Sequence, residues 1–145
     1  MKIERFRWWH IADVLPIEKD LFGPEKWSAA MFWNELAQRH HYLVAVRDER
    51  VVGYAGLAIV DSHESWVQNI AVRRDAQQQG IGHALLEALL AKATTENVDK
   101  TLLEVAVDNE PAQRLYAAYD FEPVGIRRGY YQPSNTDALV MMRSA

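Results

Sequence analysis

Apolar residues recur along this chain in two rhythms that alternate. Ile11, Val14, Leu15 and Ile17 fall at helical spacing, and Gly23-Pro24 breaks that helix. Ser28 is placed to cap a second helix carrying Met31, Phe32 and Leu36. Residues 2–7 precede this pair as a strand. Residues 42–46 and 51–60 follow as two more, joined by the polar turn Arg47-Asp48-Glu49-Arg50, which predicts a hairpin. After a loop at 61–64, residues 66–72 read as a strand. The polar run from Arg73 to Gly82 then enters an amphipathic helix, with Ile81, Leu85, Leu86, Leu89 and Leu90 on one face and Glu87, Lys92 and Glu96 on the other. Residues 101–107 form an apolar run of the buried-strand kind. Asp108-Asn109-Glu110-Pro111 opens a last helix reaching about Tyr119, with Pro111 in its first turn. Residues 121–131 and 138–142 close the chain as strands. The order β-α-α-β-β-β-α-β-α-β-β predicts an α/β (α+β mixed) domain around one mixed sheet.

Composition sets bounds on what this domain does. The chain has 145 residues, 49% of them hydrophobic and 25% charged, with no repeat and no linker, so residues 1–145 read as a single domain. There is no cysteine, which excludes disulfides, thiolate metal sites and a cysteine nucleophile. His10, His40, His41, His63 and His83 show no His-x-x-x-His spacing, so no metal is expected. A net charge of −4 argues against direct nucleic-acid binding. The longest apolar run, residues 51–60, is too short to span a bilayer. The start, Met-Lys-Ile-Glu-Arg-Phe-Arg, carries no apolar signal region. A cytoplasmic protein with no membrane partner is the expectation.

The polar loop between strand and helix reads Gln77-Gln78-Gln79-Gly80-Ile81-Gly82-His83. A helix N-terminus presents unpaired amides and a positive dipole end, and bare glycines let backbone close on a phosphate. A plain strand-to-helix turn satisfies the same pattern. Leu85 stands where a dinucleotide fingerprint needs its third glycine, and Gly82-His83-Ala84 lacks the Lys-Ser/Thr of a P-loop.

Gln77-x-x-Gly80-x-Gly82, after Ile70-Ala71-Val72 and before a leucine-striped helix, resembles motif A of the GCN5-related N-acetyltransferases. The segment from Glu104 through Asn109 to Tyr116 resembles that family's motif B, and the element order matches over essentially the whole chain. The resemblance implies a mixed, mostly antiparallel sheet of about seven strands flanked by about four helices. It also implies acetyl-coenzyme A as cosubstrate, with its pyrophosphate on the amides of Gln77, Gln78, Gln79, Gly80, Ile81, Gly82 and His83. Its pantetheine arm would lie along Ile70, Ala71 and Val72, near Asn109 and Tyr116. Phe22-Gly-Pro-Glu-Lys-Trp27-Ser28 and Arg127-Arg128-Gly129-Tyr130-Tyr131 resemble the members that acetylate the N-terminal alanine of a small-subunit ribosomal protein. That likeness implies Glu104 as general base, Tyr116 as general acid, and the N-terminal segment of a protein, a ribosomal one, as partner. Ala106 departs from the arginine common there, and Arg73-Arg74 from an Asp-Pro pair.

Each residue also carries a simpler reading. Glu104 suits a water-facing position on a splayed strand, Tyr116 a core, and Asn109 a helix cap. Trp27, Tyr130 and Tyr131 suit a substrate groove or plain packing. Trp8, Trp9 and Trp33 lie in the first quarter of the chain, which the resemblance makes one wall of the acceptor site, with core packing as their default. His83 lies near phosphate or at a solvated helix start, and Arg73 and Arg74 reach a phosphate or water. Two functional alternatives stand beside N-terminal acetylation: transfer to lysine or a small amine, and acyl-coenzyme A binding without turnover.

Overall fold

The structure, a computed structural model, describes residues 1–145. Its strands are β1 (Lys2–Arg5), β2 (His41–Arg47), β3 (Arg50–Ile59), β4 (Glu64–Val72), β5 (Lys100–Ala106), β6 (Glu122–Tyr131) and β7 (Thr136–Ser144). Its helices are α1 (Ile11–Phe22), α2 (Ala29–Ala37), α3 (Ile81–Thr95) and α4 (Glu110–Ala117). The strands make one sheet in the order β1-β2-β3-β4-β5-β7-β6, antiparallel throughout except between β4 and β5. The sequence order and mixed α/β class therefore hold.

Local chemistry explains the boundaries. The Ser28 hydroxyl accepts from the Met31 amide at 3.3 Å and starts α2. Asn109 does the same for α4, accepting from Ala112 at 3.3 Å. β1 stops at Arg5 because Trp8–His10 wind into a 3-10 turn, where the Arg7 amide donates to His10 Nδ1. The last helix ends short of Tyr119, and the chain leaves it through Asp120 at φ +67°.

The sheet divides two cores. Tyr42 and Val44 pack with Phe6, Val14, Ile17, Phe32 and Tyr54 under α1 and α2, whereas Leu43 and Ala45 pack with Leu85, Leu86 and Leu89 of α3. Alternating residues of one strand face opposite sides, so every helix has a sheet face to bury against. The Tyr42 ring lies flat on bare backbone: a Cβ at Gly56 would sit 2.0 Å from its Cζ. Two buried carboxylates serve the first core. Glu35 accepts from the Tyr42 hydroxyl at 2.7 Å. Glu18 accepts from the Tyr54 hydroxyl and Asn69 Nδ2, both at 2.8 Å, and from the Trp27 amide at 2.9 Å.

The tryptophans correct one expectation. Trp8, Trp9 and Trp33 are not core residues; they are 59%, 55% and 51% exposed. Phe32 fills the inward position of α2, which leaves Trp33, about 100° further round the helix, to stack on Trp8 outside. Trp27 is half-buried.

Burial and the nearby Lys92 hold the His41 imidazole below its ordinary pKa, against a smaller opposing pull from Glu96. A depressed folded-state value contributes stability above the unfolded value near 6.5 and loses it as pH falls. Chemical denaturation of the wild type and His41→Gln should therefore show a stability difference that changes as pH is lowered from 7 to 5, the wild type losing more.

The feature that creates the site is the divergence of β4 from β5. They pair only where Glu64–Trp66 meet Lys100–Leu102. There a buried Ser65–Thr101 hydroxyl contact at 2.9 Å and the Lys100–Glu64 pair close the seam. Just beyond, Gly56 pairs with Asn69 but Leu57 with Val67, so Gln68 is an extra residue in β4. Such a bulge bends its strand and increases its twist. From Val67 to Val72, β4 follows β3 and leaves β5 unpartnered on that side. No helix is long and apolar enough to cross a membrane.

Candidate active site

A cleft of about 580 Å³ fills the gap between the diverging strands. Val67, Gln68, Asn69 and Ile70 form one wall, Leu103 to Ala106 the other, and Asn109, Ala112 and Tyr116 come from α4 and its cap. The Arg73 amide donates to the Val52 carbonyl at 2.7 Å, toward β3. Amides alternate in direction along a strand, so Ala71 also points at β3, while those of Ile70 and Val72 point into the gap. Of the three residues expected along the pantetheine arm, Ile70 and Val72 turn their amides to the gap and Ala71 turns its amide to β3. Its amide serves the sheet, and its side chain is buried beside Tyr54.

The glycine loop stands at the start of α3. Gly80 takes φ +83°, and a Cβ there would meet nothing within 4 Å. A Cβ at Gly82 would make only ordinary contacts, 3.6 Å to Leu115 and 3.8 Å to Val72. The protein's own packing therefore does not require a bare Gly82, and a helix N-terminus that begins with bare glycines is chemically suited to a phosphate group. Ile81 is core, so only its amide is available. Gln77 donates to the Val72 carbonyl at 3.0 Å, and Gln79 accepts from Arg47. Gln78 holds the left-handed turn at φ +61°. His83 is exposed at the helix start, with Nδ1 3.1 Å from the Tyr119 hydroxyl. Arg73 pairs with Asp75 at 2.5 Å and Arg74 with Asp20 at 3.0 Å, so both guanidiniums already have carboxylate partners.

Glu104 lies in the cleft wall with its side chain 13% exposed. One oxygen, Oε1, lies 3.4 Å from Arg127 Nε; the other, Oε2, is buried with no hydrogen-bond partner. A buried orphan carboxylate oxygen costs stability, so it marks a place for an incoming donor. Tyr116 is buried against Phe121, and its hydroxyl makes no hydrogen bond within the protein. Burial raises its pKa, with a further push from Tyr131. The phenol is accordingly a proton donor, and never a phenolate, at neutral pH.

A second groove of about 430 Å³ adjoins the cleft. Glu104, Tyr131, Trp27, Val67, Gln68 and Glu25 line both, and Trp66, Met31, Tyr130 and Gln132 line only the groove. Two molecules approaching through the two openings would meet at Glu104. The structure thus brings Trp27, Tyr130 and Tyr131 together with Glu104. Burial and the neighbouring Glu104 carboxylate push the Tyr130 hydroxyl up to about 12, and burial likewise raises Tyr131.

Three residues in or beside the cleft were given no individual role from sequence, although Arg127 belongs to a segment that carries the resemblance. Glu18 stands four residues after Val14, on the buried face of α1, and a charge at a core-facing helical position is a legible signal of a satisfied network. Glu25 presents a buried, unpartnered Oε1 from the turn before α2. Arg127 reaches Glu104 across β7, a contact between distant segments with no local sequence signal.

A seven-stranded sheet split at one parallel seam, with a glycine-started helix beside the split, defines a class of acetyl-transfer fold. Residues 5–121 match the model of the Acetyltransferase (GNAT) family. The chain belongs to that family and is an N-acetyltransferase. It is 34% identical over 133 residues to a putative [ribosomal protein bS18]-alanine N-acetyltransferase from Bacillus subtilis, covering 90% of this chain and 87% of that one. It is 40% identical over 134 residues to N-alpha-acetyltransferase RimI from Mycobacterium tuberculosis, covering 89% and 83%. The crystal structure of the ribosomal-protein-S18-alanine N-acetyltransferase from Escherichia coli superposes with a TM-score of 0.88 at 28% identity, over 99% of this chain and 92% of that one.

Proposed function

We propose that this protein transfers acetyl from acetyl-coenzyme A to the N-terminal alanine of a small-subunit ribosomal protein, in one direct step. The observation that carries the reading is the pairing in one cleft of an unpartnered carboxylate oxygen on Glu104 with a free, fully protonated phenol on Tyr116. The acceptor assignment is supported by the relatives from Bacillus subtilis and Escherichia coli, whose names carry that substrate.

Acetyl-coenzyme A supplies an acetyl group activated as a thioester. The residues of the gap fit it: two strand amides face inward, and the helix start offers further amides beside two bare glycines. Ile70 and Val72 are the strand donors, and the loop from Gln77 to His83, with Asn109 nearby, holds the phosphate end. Glu104 Oε2 takes a proton from the attacking amine, directly or through one water. An amide of Ile70 or Val72 donates to the carbonyl oxygen as charge develops there. Tyr116 protonates the departing sulfur.

Acceptor chemistry agrees with this modest machinery. An α-amine of pKa near 7.8 is neutral in roughly one molecule in seven at pH 7, against roughly one in 2,500 for a lysine near 10.4. A single carboxylate therefore suffices for an N-terminus. Tyr116→Phe is expected to lower kcat by about 100-fold or more with little change in the KM for acetyl-coenzyme A, followed by thiol release with an alanine-initiated peptide. Unchanged kcat would remove Tyr116 from proton transfer. Faster thiol release with an N-terminally blocked lysine peptide than with the free alanine peptide would overturn the acceptor assignment.

A further inference from the structure

The guanidinium of Arg127 sits in a cage. Its central carbon lies 6.0 Å from the Trp66 ring centroid and 5.8 Å from that of Tyr130, and its Nε lies 3.4 Å from Glu104 Oε1. Two aromatic faces and a carboxylate are the chemistry that recognises an organic cation. Trp66, Tyr130 and Glu104 also line the groove together. The present occupant of the cage comes from the far edge of the sheet. Arg127 pairs with Ala138, and Ala138 with Ala106, so the three share one face. Two alanines in that row leave space for the long side chain to cross β7 toward β5.

Arg127 is also loosely held. Its side chain is 53% exposed, on a strand whose residues are almost all exposed. The pair is exposed at its arginine end, where solvent weakens both the ion pair and the cation–π contacts. A second cation brought against the same carboxylate and rings is repelled by the guanidinium, because like charges at contact distance repel.

We propose that Arg127 is a built-in occupant of the acceptor's cation subsite, formed by Trp66, Tyr130 and Glu104, and that the ammonium end of the acceptor displaces it on binding. This rests on the reading of Glu104 as the group that meets the acceptor amine. Arg127 is then a specificity-determining residue. Acceptors that carry no charge at the working pH cannot expel it, whereas a protonated N-terminus replaces it charge for charge.

Arg127→Ala is expected to lower the KM for an alanine-initiated peptide by about three- to tenfold, the gain expected from removing one half-exposed ion pair and its aromatic contacts. Arg127→Met, which keeps the length without the charge, should do the same, and Arg127→Lys should keep KM near the wild-type value. Ethylguanidinium, added to Arg127→Ala, should refill the cage and inhibit competitively against the peptide. A raised KM in the alanine and methionine variants, or activation of Arg127→Ala by ethylguanidinium, would show that Arg127 assists the acceptor and overturn the proposal. Calorimetric titration with ethylguanidinium reads the cage without turnover. Binding to Arg127→Ala but not to the wild type supports the subsite even if the acceptor assignment fails, and no binding to either overturns it.

Discussion

Replacing Glu104 by glutamine is expected to cut kcat/KM by about 100- to 10,000-fold, the range for loss of a general base. The substitution keeps the shape of the side chain and removes its ability to take a proton. The fold should not suffer. Glu104 Oε2 is buried without a partner, and such a group lowers stability in exchange for reactivity. Glu104→Gln should consequently melt at the same temperature as the wild type or higher. Coenzyme affinity, measured by calorimetry, should persist, since the glycine loop and the amides of Ile70 and Val72 are untouched. Turnover within a factor of two of the wild type would remove Glu104 from the chemistry.

The largest loss of stability is expected at Glu18. Its two oxygens accept from Tyr54, Asn69 and the Trp27 amide, tying α1 to β3, to β4 beside its bulge, and to the segment leading into α2. Glu18→Ala strands these donors in a nearly water-free site and opens a cavity. The expected cost is about 3–5 kcal/mol, a large part of the stability of a domain this size. Thermal unfolding should shift down by roughly 10 °C or more. Glu18→Gln keeps two acceptor contacts and sets an amide donor against one of the three, so it should lose about 1–3 kcal/mol. Because Trp27 and Asn69 line the cleft, residual folded Glu18→Ala should also bind acceptor less well. A shift of only a degree or two in either variant would contradict the role given to Glu18.

What could be read from the sequence divides along the range of the interactions involved. Helical and alternating periods placed all eleven strands and helices in order, because each element buries one face. Caps at Ser28 and Asn109 were readable because their partners lie three residues away. The split between β4 and β5 was not readable. It depends on the extra residue Gln68 and on where the parallel register stops, which are properties of pairing between distant segments. The same limit applies along Ile70, Ala71 and Val72: which amides face the gap is fixed by the pairing with β3. Trp8, Trp9 and Trp33 looked like core because tryptophan usually is, and helix phase gave the inward place to Phe32. The contact of Arg127 with Glu104, two strands apart in the sheet, had no signature at all.

The central claim is that the acceptor is an α-amine delivered to Glu104. Tandem mass spectrometry tests it most directly. The substrate is a peptide with a free N-terminal alanine, basic residues and an internal lysine, incubated with the protein and acetyl-coenzyme A. Acetyl on the alanine nitrogen alone, absent with Glu104→Gln, is the predicted result. Acetyl on the lysine, or equal labelling by Glu104→Gln, would contradict it.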